Sequence, residues 1–169
     1  MQMNKINYIC QALEILIQTE WDKLPIPDDE SICKPEKSPS YIESSEITEW
    51  IKGKKFSEIT NSNNFEAQMP FYYLTASAAS YYVGGYLLQS CKNISKNFNG
   101  VKDCFGFDHL SVFVASPNFG QVFSLMNCTC KIILLSFIEM ILIVEKELEI
   151  NQVILDGIQR FLVTNLWGV

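Results

Sequence analysis

Arginine and histidine are nearly missing from this chain: Arg160 and His109 are the single examples of each in 169 residues. With a single arginine there is no cluster of forked donors to grip phosphate. A net charge of -6 and an isoelectric point near 4.8 add to the case against direct nucleic-acid binding, which needs clustered Lys and Arg. The motifs that announce common chemistries are missing too. There is no P-loop, no GxGxxG, no HExxH and no GxSxG, so nothing calls for a nucleotide cofactor, a catalytic metal or a nucleophilic serine.

A membrane-length apolar run is also lacking. Ile132 to Val144 is the longest candidate, broken by Ser136 and Glu139. It falls short of the roughly 18 to 20 apolar residues that a spanning helix needs. The opening MQMNKINYICQALEILIQTEW has Gln11 and Glu14 among its apolar residues and no small-residue cleavage site, so it does not read as a secretory signal. The expected setting is cytoplasmic. The six cysteines, Cys10, Cys33, Cys91, Cys104, Cys128 and Cys130, are then expected as reduced thiols rather than as a disulfide framework.

What the chain does have is apolar content: 48% hydrophobic against 19% charged, with 12% aromatic. That is enough to fold a core, and the length suits one domain, residues 1–169. The segment CTCKIILLSFIEMILIVEKE, near 128–147, is apolar on every side of a helical wheel and belongs inside a bundle. The expected fold is therefore all-α, a single-domain helical bundle around a central buried helix.

Elsewhere the periodicity predicts a first amphipathic helix over 4–18, with Asn4 as a cap and Ile6, Ile9, Cys10, Leu13, Leu16 and Ile17 on its apolar side. Residues 21–43 hold Pro25, Pro27, Pro35 and Pro39 among acidic residues and lysines, and read as an exposed acidic loop. A short helix follows, capped by Ser44 or Ser45 and stopped by Gly53. Phe56 to Thr60 reads as a turn, and Pro70 is expected to end or kink a helix that begins near Phe65. Thr75 is expected to cap a helix over 76–91. Within it, Gly84 and Gly85 cost about 1 kcal/mol each relative to alanine and require a packing reason or mark a kink. Lys92 to Phe107 reads as a connection. Short helices are expected from Asp108 to Ala115 and around Phe119 to Leu125, and a last helix is expected after Asn151.

Four places carry conceivable chemistry, each with a plainer account. Cys104 and His109 lie five residues apart and could pair as thiol and imidazole, although His109 equally suits the first turn of a helix. Cys128 and Cys130 could be soft-metal ligands, but no second Cys pair completes a zinc site. Glu139 could be a buried carboxylate with a raised pKa, or could turn to the bundle edge. The tyrosines from Tyr72 to Tyr86 could line a ligand pocket or fill the core.

Charge distribution is the remaining signal. From Glu20 to Glu66 there are eleven carboxylates against six lysines, so five of the six net negative charges lie in this stretch. A solvated face is the ordinary reading of such a bias. A basic partner is the functional one, since complementary potential speeds and selects association.

At FYYLTASAASYYVGGYLLQS the chain resembles small helical bacterial proteins of unassigned activity, in which Leu-Thr-Pro-Glu-Ala-Phe runs into Tyr-Tyr-Leu-Pro-Ala-Tyr. Leu74, Thr75, Ala78, Tyr81, Tyr82 and Tyr86 match that pattern, whereas Ala76, Ser77 and Ala79 depart from it and Gly84-Gly85 replace its Pro-Ala. The likeness extends over roughly residues 50 to 145 and brings no catalytic residues. In size, acidity, scarcity of arginine and absence of a signal, the chain also resembles the immunity proteins of contact-dependent growth inhibition systems. That resemblance implies a non-enzymatic protein, without cofactor or metal, that binds and occludes a basic toxin domain one-to-one. A nuclease is the expected toxin. Asp28, Asp29, Glu30, Glu43, Glu46 and Glu49 would meet its Lys and Arg, with Tyr41 or Trp50 as aromatic anchor. Two other classes stay open: a small enzyme using Cys104 and His109, and a homo-oligomeric ligand-binding or structural bundle.

Overall fold

The computed structural model describes residues 2–34, 41–59, 70–96 and 118–148, together with Leu110, Phe113 and Val114. These form six packed helices: α1 (Gln2–Trp21), α2 (Tyr41–Ile51), α3 (Pro70–Tyr73), α4 (Ala76–Lys96), α5 (Phe119–Leu125) and α6 (Cys128–Leu148). Two 3-10 turns, Asp29–Ser31 and Phe56–Glu58, lie between them. No strand occurs among the described residues, where the extended pairing is an isolated antiparallel bridge between Cys33 and Leu74. The fold is all-α, a single-domain bundle. The helices expected near Phe65, from Asp108 and after Asn151 fall on residues outside the described ones.

Helix α4 is the most enclosed of the six. Every residue from Ala78 to Cys91 is buried except Ser80 and Gln89, which are partly so. Thr75 caps it as expected, its Oγ1 accepting the Ala78 N–H at 3.1 Å. Helix α1 runs antiparallel to α4, because Trp21 meets Ser80 and Gly84 while Cys10 hydrogen-bonds Cys91. Helix α6 lies on α1 in the same sense, with Met140 Sδ 3.7 Å from Cys10 Sγ. The expected helix of 128–147 is thus present. It buries Ile133, Leu134, Phe137, Ile138 and Ile141 and leaves Ile132 and Glu139 on its outer side. Its N-terminus is capped by Asn127, whose Oδ1 accepts the Cys130 N–H at 2.8 Å.

Gly84 and Gly85 have a packing reason, and α4 runs through them unbroken to Lys96. The fully buried Trp21 indole lies flat against Gly84, where an added Cβ would come within 2.5 Å of Cγ and 2.6 Å of Nε1. Its Nε1–H donates to the Ser80 carbonyl at 3.2 Å. One residue on, Gly85 receives the Phe56–Glu58 turn, and a Cβ there would strike the Phe56 carbonyl oxygen and lie 3.0 Å from Ile59 Cβ. Bare backbone at two consecutive positions therefore seats two different elements.

The tyrosines beside this site are core, not pocket lining. Tyr81, Tyr82 and Tyr86 are all at most 4% exposed. Tyr82 donates its hydroxyl to the Ile51 carbonyl at 3.1 Å, satisfying the C-terminal end of α2. Tyr81 accepts the Phe56 N–H at 3.3 Å and meets the Phe56 ring edge-to-face. One turn further along α4, Tyr86, Phe71, Phe113, Phe119 and Phe123 make successive ring contacts with centroids 4.1 to 5.9 Å apart. This aromatic file ties α3 and α5 to the bundle.

Three boundaries differ from the sequence reading. Helix α2 begins at Tyr41 rather than at Ser44 or Ser45, so the last three residues of the expected loop are helical. It stops as expected, with Gly53 in the left-handed region at φ 67°. Pro70 opens the short helix α3, because a first-turn position uses no backbone N–H and suits the fixed φ of proline, and the helix expected to end there lies outside the described residues. Helix α1 starts at Gln2, which places Asn4 inside it rather than at its cap.

Because the Gly85 neighbour is backbone and cannot rotate away, Gly85→Ala is expected to destabilise by roughly 1 to 3 kcal/mol or more, outweighing the gain of about 1 kcal/mol in helix propensity. Chemical denaturation followed by circular dichroism measures this, and stability equal to wild type would show that the turn is not seated there. Tyr82→Phe is expected to lose about 1 kcal/mol in the same assay, from the hydrogen bond to Ile51.

Candidate functional site

The described part of the acidic loop, residues 21–34, is held at both ends. Trp21 anchors its start, and its far end is pinned to the N-terminus of α4. Ile32 is fully buried and its carbonyl accepts the Thr75 N–H at 2.9 Å, while the Lys34 N–H donates to the Tyr73 carbonyl at 2.9 Å. Thr75 Oγ1 also donates to the Ser31 carbonyl at 2.5 Å. Between the anchors the chain turns through Asp29–Ser31, with the Ser31 N–H and hydroxyl both donating to the Asp28 carbonyl at 2.8 Å. Asp28, Asp29 and Glu30 are exposed on this turn. Their backbone is fixed while their carboxylates face water.

The turn lies beside the end of α2. Lys52 is held above the ordinary lysine value, first by its hydrogen bond to Glu49 at 3.1 Å, then by the charges of Glu49 and Asp29. One lysine therefore feels carboxylates from both elements. Glu46 is exposed three residues before Glu49, on the same side of α2. Asp29 also helps to raise the Tyr82 hydroxyl, after burial and Tyr81, while Asp22 and Glu58 help to raise Tyr81, after burial. Asp22, Asp29 and Glu58 thus all lie within electrostatic reach of the Tyr81–Tyr82 pair of α4.

The nearby lysines are largely engaged. Lys23 pairs with Glu20 at 2.6 Å and Lys52 with Glu49, Lys54 lies 5.5 Å over the Trp50 ring, and Lys34 Nζ donates to the Tyr72 carbonyl at 3.1 Å. Among the described residues Asp28, Asp29, Glu30 and Glu46 form no ion pair. Trp50 is half-buried and packs against the core beneath Lys54. Tyr41 and Glu43 sit in the first turn of α2, and their side chains lie outside the described residues. The structure thus places Asp29 within electrostatic reach of Lys52, the partner of Glu49, with Asp28 and Glu30 beside Asp29 on the same turn and Glu46 one helical turn from Glu49.

The alternative chemical candidates fare differently. Cys104 and His109 lie outside the described residues. Glu139 is exposed, at the bundle edge. Cys128 is exposed and Cys130 buried, because two residues of helix turn the side chains to nearly opposite sides, so the two thiols do not converge on one ion. Among the described residues no cluster of His, Cys, Asp and Glu could hold a metal, and no helix is long and apolar enough to cross a membrane.

One group of buried thiols escaped the sequence reading. Cys10 of α1 and Cys91 of α4, both fully buried, hydrogen-bond each other beside Met140. Donation by Cys91 lowers Cys10, and that same bond together with burial raises Cys91. Neither sulfur reaches solvent. The sequence signal was present, since both positions fall on apolar helix faces, but their pairing depends on how α1 crosses α4.

Comparison with protein-family models, with curated proteins and with solved structures finds no match for this chain.

At neutral pH iodoacetamide is expected to label Cys128 quickly and Cys130 slowly, since Cys130 is 1% exposed and burial pushes its thiol up to about 11. Peptide mass spectrometry over a time course reads both rates, and equal rates would contradict this placement. The same raised thiol predicts the sign of an alkaline effect. The unfolded chain loses the Cys130 proton near pH 9 and the folded chain near 11, so stability is intact below pH 9 and falls by up to ~2 kcal/mol on rising to 11. Cys130→Val should flatten that part of a denaturation-midpoint profile.

Proposed function

We propose that this chain is a binding protein rather than an enzyme: a cytoplasmic immunity protein that neutralises a basic toxin domain, a nuclease, one-to-one by covering its cationic active site. The observation that carries the reading is the acidic turn at Asp28, Asp29 and Glu30. Its backbone is pinned between buried Trp21 and Ile32, its carboxylates are open, and Glu46 and Glu49 stand on the neighbouring face of α2. Fixed backbone matters because a preorganised loop loses little entropy on binding. Open carboxylates matter because their hydration is the only interaction a cationic partner must displace. The compositional resemblance to immunity proteins points the same way. Trp50 would contribute at the rim, since its ring already packs on the core and carries Lys54.

The test begins with the reading frame directly upstream, because such inhibitors are encoded beside their toxins. Its C-terminal domain, co-expressed with this chain, is expected to co-purify at one-to-one stoichiometry and to lose its toxicity. Changing Asp28, Asp29 and Glu30 together to lysine should slow association at low salt at least tenfold while leaving the helical spectrum unchanged, as expected for side chains that make no contact with the core. Stopped-flow or surface-resonance kinetics over a salt series measures this. An unchanged association rate would remove the acidic turn from the interface.

A further inference from the structure

Three sulfur atoms from three helices meet where the first half of α1 lies beside the last turns of α4 and the second half of α6. Cys10 Sγ is 3.7 Å from Met140 Sδ and hydrogen-bonds Cys91, and all three side chains are buried. Sulfur often packs in a core as a soft apolar filler. Here, however, the two thiols and the thioether turn towards one another, and a polar group joins them. Ser95, one turn after Cys91, hydrogen-bonds the Cys10 thiol with a buried hydroxyl that has no other partner among the described residues. Donation by Cys91, and after it by Ser95, holds the Cys10 thiol below its ordinary value against the opposing effects of burial and of the Glu14 charge. The cluster therefore favours a thiolate at its centre.

We propose that Cys10, Cys91 and Met140 form a trigonal site for one soft monovalent ion, copper(I). The donor set selects it, since thiolate and thioether sulfurs suit copper(I) and not the harder divalent ions. Zinc asks for a fourth ligand from thiolate, imidazole or carboxylate, and among the described residues no group of His, Cys, Asp and Glu supplies such a set. The spacing agrees as well. Metal–sulfur bonds of about 2.3 Å in a trigonal plane set the sulfurs about 4 Å apart, and Cys10 and Met140 already stand at 3.7 Å. On coordination Cys10 and Cys91 each release a proton to solvent and donate a sulfur lone pair, while Met140 donates a lone pair and loses nothing. The metal keeps its oxidation state, so no redox partner is needed. The resulting centre is singly negative, and the Ser95 hydroxyl remains in place to donate to it. Cys91 and Ser95 lie in the last two turns of α4, and helix ends open more readily than helix middles, which gives the ion its way in. The acidic turn starts at Trp21, about 16 Å further along α1, so the site is separate from the immunity reading and does not rest on it.

The test is an anaerobic titration of the reduced full chain with copper(I) against a chromophoric chelator, with native mass spectrometry to count ions. One ion per chain is expected, together with a raised thermal midpoint, because an ion that ties α1, α4 and α6 binds the folded state alone. Loss of an outer hydrogen-bond partner costs metal sites roughly 10- to 100-fold in affinity, and loss of a ligand at least as much. Ser95→Ala should therefore weaken binding about tenfold and Cys91→Ser about a hundredfold or more. Met140→Leu keeps the side-chain volume, so it should fold normally by circular dichroism and still bind at least about tenfold more weakly. Changing Cys33 and Cys128, the more accessible thiols outside the cluster, together to serine should leave the affinity as in wild type. A wild-type chain that holds copper(I) no more tightly than Cys91→Ser overturns the site. Tight binding that vanishes in the Cys33 and Cys128 double variant also overturns it, by placing the ion on surface thiols. Should Cys91→Ser fail to fold, Met140→Leu still decides, since affinity equal to wild type in that variant removes the thioether and with it the trigonal set.

Discussion

The seating of the Trp21 indole on Gly84 sets the geometry of the molecule, because a rigid ring against bare backbone fixes both the distance and the register of α1 on α4. Its N–H has one acceptor, the Ser80 carbonyl, which removes the remaining freedom to slide or rotate. Once this end is fixed, the antiparallel course of α1 brings Cys10 to Cys91, and α6 closes on the same helix through Met140. Gly85 extends the principle to the neighbouring side, where the Phe56 turn enters far enough for its carbonyl to fill the place of a side chain. Close approach of this kind yields dense dispersion contact, and it leaves no slack for an added methyl group.

The same contact organises the surface. Trp21 is the last residue of α1, so holding it in place also fixes where the acidic loop begins, and the pairing of residues 31–34 with 73–75 fixes where it returns. The loop is exposed, as proline and charge led one to expect, yet its path is set by a buried residue at each end. Its carboxylates are presented to solvent by a constrained backbone. Among the described lysines nearby, Lys23, Lys52, Lys54 and Lys34 are taken up by Glu20, Glu49, the Trp50 ring and the Tyr72 carbonyl. An acidic bias distributed along the sequence thereby becomes a small set of open charges beside the end of α2.

Helix and cap signals were legible wherever they depend on neighbours in the chain. Thr75 and Gly53 act within a turn or two of themselves, and each appears where the sequence places it. Pro70 was ambiguous because the same fixed φ that breaks a helix interior suits a helix start, and only the chain before it decides which applies. Glu139 could not be placed on a helix apolar all round, since which side meets the bundle depends on neighbours remote in sequence. The outward apolar face of α1 was hidden for the same reason: Ile9 and Leu16 read as part of one buried side until the packing of α4 and α6 divided them from it.

By itself the sequence determined the class of fold, the caps at Thr75 and Gly53 and the sign of the net charge, since these follow from composition and from patterns a few residues long. It also marked Gly84-Gly85 as needing an explanation. Tertiary structure alone decided which helix is innermost, what occupies the two glycines, which lysines are spent and which carboxylates remain open. Those are matters of contact between residues as distant in sequence as Trp21 and Gly84 or Asp29 and Lys52, and local patterning carries no record of which distant surfaces meet.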